Sequence, residues 1–290
     1  MLIGSRRPHL STLQFLLGHL LRLCLLLLSL GLVQARAAIS FVQSNSATPQ
    51  TPQASVAVVY TLAQTAGNLN VVVVGWNDST ATISSVVDSK GNQYLVAAAP
   101  VVQTGTATQA IYYAKNIASA AAGTNTVTVT FSVAAVFADI RIAEYSGLDP
   151  NNPLDVSVGA QGTTTATSNS GSATTTNAND LLVGANLVQS TSTSAGTGFT
   201  SRGVTPDGDI LEDRVVTVTG SYSATANLDK IQSWVMQMVA FRAASGTGGG
   251  PSITNLNPTS GPVATAVTIS GTNFGSTQGT NTVTFNGTPA

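Results

Sequence analysis

The chain has very little histidine, cysteine or charge. Two histidines and one cysteine occur in 290 residues, and His9, His19 and Cys24 all fall in the N-terminal stretch. Residues 1–37 have the three-part layout of a cleavable secretory signal. Arg6 and Arg7 form a positive n-region, Leu23 to Val33 an apolar h-region, and Ala35-Arg36-Ala37 a small-residue cleavage site before Ala38. The apolar run is about half the roughly 20 residues that a bilayer span requires, and Arg22 and Arg36 flank it. The expectation is therefore cleavage, with no membrane span afterwards. Arg22 and Leu23 stand where a lipobox needs small residues, so Cys24 reads as part of the h-region and not as a lipid anchor.

Cleavage removes every imidazole and thiol. That excludes disulfides, Cys nucleophiles, Ser-His-Asp triads and His- or Cys-ligated zinc within this polypeptide. A Ser nucleophile would need Lys90, Lys115 or Lys230 as its base, and each of these sits in a polar turn or at a strand end. Charged residues are 8% of the chain, against about 25% in a typical soluble domain. Beyond the signal, seven basic residues face 12 acidic ones, a formal charge of −5. A weakly acidic surface with scattered cations is a poor match for nucleic acid, and that class of partner is set aside. Solubility has to come from Thr, Ser, Asn and Gly. The many Val, Ile and Leu runs exclude a disordered chain.

What is present is β pattern. Apolar or alternating segments at 55–62, 69–76, 93–97, 109–115, 125–132, 139–145, 180–188, 214–222 and 233–242 are separated by turn residues. Val71 to Val74 form a continuous apolar run, which implies a strand buried on both faces. Val127, Val129 and Phe131 alternate with Thr126, Thr128 and Thr130, a half-buried strand with a hydroxylated outer face. Asp88-Ser89-Lys90-Gly91-Asn92 spells a tight turn, and Asp149-Pro150-Asn151-Asn152-Pro153 a rigid corner. The Thr/Ser/Asn/Gly tract at 163–179 reads as polar strand and loop. No sustained helical period appears beyond the signal. Residues 38–244 are thus expected to form one large jelly-roll or Greek-key β-sandwich. Residues 245–250 form a Gly-rich linker.

After the linker, Pro258-Thr259-Ser260-Gly261-Pro262, then Ser270-Gly271-Thr272-Asn273-Phe274-Gly275, then Val283-Thr284-Phe285-Asn286-Gly287 resemble the opening of an IPT/TIG domain. Ala264 departs from the glycine common at that place in the family. The resemblance implies an immunoglobulin-like sandwich roughly twice as long as residues 251–290, so a truncated domain of a longer surface protein is expected. Tyr145 to Asp149, Asn152 to Asp155 and the Pro206 to Arg214 region resemble, less specifically, secreted domains that precede IPT/TIG repeats in bacterial surface proteins. That likeness implies no activity.

Three groups of residues are candidates for a site. Asp207, Asp209, Glu212 and Asp213 are close enough in sequence to supply oxygen ligands to calcium, without EF-hand spacing; a solvated acidic loop capped by Arg202 or Arg214 is the competing reading. Trp76, Tyr113 and Tyr145 could form an aromatic platform for a sugar ring, against ordinary core packing. Glu144 and Glu212 are the two glutamates. An inward Glu144 paired with Arg141, Arg202 or Arg214 competes with a glycosidase pair, whose carboxyls stand about 5–9 Å apart. No residue is assigned a catalytic role. The expected function is a secreted or cell-surface, non-enzymatic module for adhesion or glycan binding, with polysaccharide or cell-wall material as partner. A structural spacer and a polysaccharide-active hydrolase are the alternatives.

Overall fold

Strand segments carry the chain from residue 40 to residue 242 with no helix among the described residues. The computed structural model describes residues 38–244, 252–260, 262, 265–272, 284–285 and 288–289; the expected signal peptide and Gly-rich linker lie outside them. The first eight strands are β1 (Ser40–Ala47), β2 (Gln53–Tyr60), β3 (Leu69–Trp76), β4 (Ile83–Asp88), β5 (Leu95–Gln103), β6 (Ala107–Ala114), β7 (Asn125–Ala135) and β8 (Asp139–Ser146). They pair as a five-stranded sheet, β1-β8-β3-β6-β5, and a three-stranded sheet, β2-β7-β4. This is a jelly roll whose fifth strand stays with its hairpin partner β6.

The chain then repeats the plan. It continues through β9 (Leu154–Gly162), β10 (Thr167–Asn169), β11 (Ala173–Thr174), β12 (Asp180–Val188), β13 (Ser192–Ala195), β14 (Thr200–Val204), β15 (Ile210–Val216), β16 (Ser221–Tyr222), β17 (Thr225–Leu228) and β18 (Trp234–Arg242). Its five-stranded sheet is ordered β9-β18-β12-β15-β14 and its three-stranded sheet β10-β17-β13, with β11 and β16 as a small extra pair. Matching β1, β8, β3, β6 and β5 to β9, β18, β12, β15 and β14 superimposes the two topologies strand for strand. The jelly-roll expectation holds in type, but in place of the one large sandwich expected over residues 38–244 the chain contains the fold twice.

The two rolls share a core. Leu69, Val71, Val73, Ile111 and Tyr145 of the first large sheet pack on Leu181, Val183, Leu211, Val239 and Phe241 of the second. On the other face of the first large sheet, Val72, Val74, Trp76 and Ile142 meet Val56, Val58, Val127 and Phe131 of its small sheet. On the other face of the second, Leu182, Met236, Met238 and Trp234 meet Ala224 and Leu228. The result is four layers and three cores. Every residue of β3 and of β12 is buried, which explains the unbroken valine run: alternate valines serve different cores.

Turn chemistry behaves as the residue types dictate. The Asp88 Oδ1 accepts from the N–H groups of Lys90 and Asn92 at 3.0 Å each, and Gly91 takes a positive φ of 74°. The Asp149 corner is the connection between the rolls, with Oδ1 accepting from the N–H of Asn151 at 2.8 Å and of Asn152 at 3.2 Å. The polar tract after β9 contains β10 and β11, as its reading as strand and loop expects. C-terminal to the rolls, β19 (Ser252–Asn257) pairs antiparallel with β20 (Thr268–Thr272), and β21 (Thr284–Phe285) with β22 (Thr288–Pro289).

Gly147, at the exit of β8, has φ +79°, and a Cβ there would lie 2.5 Å from the Ala38 carbonyl oxygen. Gly147→Ala is expected to lower unfolding free energy by about 2 kcal/mol or more, from left-handed strain plus the clash. Urea unfolding checks this, and unchanged stability would contradict it.

Candidate functional site

The shared core is not wholly apolar. Arg141 of β8 reaches from the first large sheet into the second: its guanidinium forms an ion pair with Asp139 at 2.7 Å and donates to the Ile210 carbonyl oxygen of β15 at 2.6 Å. It also donates to Gln109 Oε1 at 3.0 Å, while Gln109 Nε2 donates to the Ala185 carbonyl of β12 at 2.9 Å. Asp139 accepts from Thr205 Oγ1 at 2.7 Å. Asp209, from the turn before β15, is buried against Asp139. Burial and the Asp139 charge hold its carboxyl far above the usual range, against the opposing pull of Arg141 and the Val188 N–H. Asp139 also forms the ion pair with Arg141, so the cluster sets two carboxyls and one guanidinium together in the seam.

A second cluster closes the same seam nearer its edge. Arg202 of β14 grips Asp213 through two bonds of 2.7 and 2.9 Å and lies 4.4 Å over the Phe41 ring. Ser44 Oγ of β1 donates to the Arg202 carbonyl at 3.0 Å. The buried Tyr145 hydroxyl faces Asp213, and burial followed by that negative charge raises its pKa. A cavity of ≈ 210 Å³ opens here, lined by Ser44, Ser46, Arg141, Arg202 and Thr205 among others. Its two arginines are committed to Asp139 and Asp213.

These positions revise the sequence expectations. The four carboxylates of the acidic segment diverge. Asp207 accepts from Gln50 Nε2 at 2.9 Å, Asp209 pairs with Asp139, Glu212 accepts from the Gly196 N–H at 2.9 Å, and Asp213 holds Arg202. Among the described residues, no three such side chains converge to hold a metal ion. A β-strand sends successive side chains to opposite faces, so closeness in sequence separates Glu212 from Asp213. Trp76, Tyr113 and Tyr145 do not form an exposed platform: they are 1%, 7% and 0% exposed. Trp76 stacks edge-on against Phe131, and Tyr113 is tilted on Phe241. The sheet that carries them is covered on both faces, so neither Tyr112 nor Tyr113 is open. Glu144 is buried as expected, but amides hold it in place of an arginine: Gln43 Nε2 donates at 2.7 Å and Asn68 Nδ2 at 2.6 Å.

The seam also ends in an open groove that no sequence motif marked. The β1–β2, β3–β4 and β7–β8 connections of the first roll bring Gln50, Asn77 and Phe137; loops of the second bring Gln189, Asp207 and Lys230. The volume is ≈ 330 Å³. Gln189 Nε2 donates to Asn77 Oδ1 at 3.0 Å, tying the two rolls across the groove. Phe137 is 42% exposed and has φ +43°. Asp78 fixes that turn. Its Oδ2 accepts from the Val136 N–H at 3.0 Å, and the Asn77 N–H donates to the Val136 carbonyl at 2.7 Å. Partial burial raises the Asp78 pKa, but the backbone donors outweigh it and hold the carboxyl below its ordinary value.

With this geometry in view, the C-terminal segment can be placed. Residues 251–290 match the IPT/TIG domain family. The IPT/TIG match agrees with the motif reading and adds an immunoglobulin-like module after the tandem rolls. No curated protein and no solved structure matches the chain.

Glu212 supplies a measurable pH signature. Burial pushes its carboxyl up to about 7, opposed by the Gly196 and Thr225 backbone donors and aided by Asp213. A folded-state pKa above the unfolded one means the folded protein binds the extra proton. That stabilisation is complete below about pH 4.3, the ordinary glutamate value, and is lost as pH rises through about 7. Asp209 adds in the same direction. The melting temperature is therefore expected to fall between pH 5 and pH 8, and Glu212→Gln to flatten that slope. A melting temperature that rises across the window would contradict the assignment.

Proposed function

We propose that this chain is a non-enzymatic module of a secreted or cell-surface protein, in which two fused jelly rolls form a rigid body for adhesion or glycan binding beside an IPT/TIG domain. The observation that carries the reading is the disposition of the acids. Asp139, Glu144, Asp209, Glu212 and Asp213 are all buried and are engaged in seam or loop bonds, so none of them forms a carboxylate pair facing an open cleft. Hydrolysis of a polysaccharide needs an accessible acid and a second carboxylate at working distance. The IPT/TIG match supports the same class. Burial of Trp76, Tyr113 and Tyr145 favours a plain spacer as the second reading.

The full chain is incubated with insoluble polysaccharides and cell-wall material, with calcium and with chelator, and bound protein and released reducing ends are both measured. Retention without release of sugar is expected. Release of reducing ends would overturn the non-enzymatic reading, and a folded protein retained on nothing would leave the spacer in its place.

A further inference from the structure

We propose that the groove closed by Phe137, Gln50, Asn77, Gln189, Asp207 and Lys230 is a binding site for an uncharged polysaccharide, with the Phe137 ring as its stacking surface. This rests on the reading of the chain as a binding module and assigns that module its site.

Three observations converge on it. The first is composition. The lining joins one open aromatic ring to three carboxamides, one carboxylate and one ammonium group. An apolar ring face beside planar amide donors and acceptors matches a pyranose, which offers a C–H face and a rim of hydroxyls. Asp207 and Lys230 cancel in charge, so the groove offers no net field to an anionic polymer.

The second is preorganisation. Gln50 donates to both Asp207 oxygens, at 2.9 and 3.2 Å, and Gln189 donates to Asn77. These bonds fix which atoms face the groove. The walls are stiff as well: a Cβ at Gly208 would lie 2.3 Å from the Ser190 carbonyl oxygen, so the β14–β15 turn packs directly on the β12–β13 loop. A site held in place before the ligand arrives loses little ordering entropy on binding.

The third is the turn at Phe137. A bulky aromatic residue rarely occupies the left-handed region, and Gly or Asn serves a turn there at lower cost. Here Phe holds φ +43° with 42% of its surface open to solvent, and it belongs to none of the buried apolar clusters. Asp78 and the Asn77–Val136 bond fix that backbone geometry from the outside. Strain that surrounding bonds maintain at an exposed aromatic is what a presented stacking ring requires.

The test uses the full chain and affinity electrophoresis in cellulose derivatives, xylan, mannan and mixed-linkage glucan, with alginate and heparin as charged polymers. Parent protein, Phe137→Gly, Gln189→Ala and the remote surface variant Val218→Ser are compared, with melting temperatures measured in parallel. The expected result is retardation by at least one uncharged polymer, unchanged in Val218→Ser. It should weaken about tenfold or more in Phe137→Gly, the loss expected for one stacking contact and its buried area. Phe137→Gly should melt at the same or a higher temperature, because glycine relieves the turn. Retardation that Phe137→Gly and Gln189→Ala leave intact would overturn the groove while sparing the binding module. Retardation by alginate or heparin alone would overturn the uncharged ligand. No retardation by any polymer, from a folded protein, would overturn the site and the glycan-binding reading together.

Discussion

A buried arginine between two sheets constrains everything else in this molecule. Arg141 leaves one jelly roll and ends on a backbone carbonyl of the other, with Asp139 as its counter-charge. An ion taken out of water at such depth is tolerated only when its geometry is complete. The Ile210 carbonyl, Gln109 and Thr205 complete it, and they come from both rolls. Sliding the rolls against each other would strand a charge in the core, so the cluster sets their register as well as joining them. Near the edge, the Arg202–Asp213 pair lies within the second roll, and Arg202 meets the first roll through the Phe41 ring.

The composition follows from this stacking. Sheets covered on both faces need strands that are mostly apolar and buried along their length, as β3, β12 and β18 are but for the part-exposed Arg242, and they leave few places for charge. Much of the charge that remains is spent internally. The outer three-stranded sheets carry the hydroxyl-rich alternation, seen in β7, where Thr126, Thr128 and Thr130 are only partly covered. A low charge fraction is thus the consequence of building two five-stranded sheets into one interior. The groove at Phe137 draws on loops of both rolls at one end of the stack.

The central strands were legible because burial on both faces erases alternation and leaves an unmistakable apolar run; β3 and β12 have the bounds that pattern expects. Asp88, Gly91 and the Asp149 corner were legible because their turn chemistry is local. The duplication was not. Strands β8 and β18 occupy equivalent places, yet Asp139–Ser146 and Trp234–Arg242 have no repeated motif, since a covered sheet constrains volume and polarity more than identity. Short polar strands such as β10, β13 and β14 carry little apolar signal of their own. The aromatic platform of Trp76, Tyr113 and Tyr145 failed as an expectation because a two-layer sandwich leaves one face open, and this sheet has none. Phe137 escaped notice because Val136 and Phe137 make a turn without Gly, Pro, Asn or Asp. The one available signal was that β7 and β8, both strong strands, needed a turn somewhere in that apolar stretch.

The seam makes one cooperative body of the two rolls, and the two tryptophans allow this to be read directly. Trp76 lies in the first roll and Trp234 in the second, and the chain has two tryptophans in all. Urea unfolding of Trp76→Phe and Trp234→Phe, each followed by the fluorescence of the remaining tryptophan and by far-ultraviolet circular dichroism, reports each roll against the whole molecule. Coincident midpoints within each variant are predicted, with Arg141→Ala pulling the two signals apart. Separate midpoints with Arg141 in place would show two independent rolls and contradict a cooperative seam.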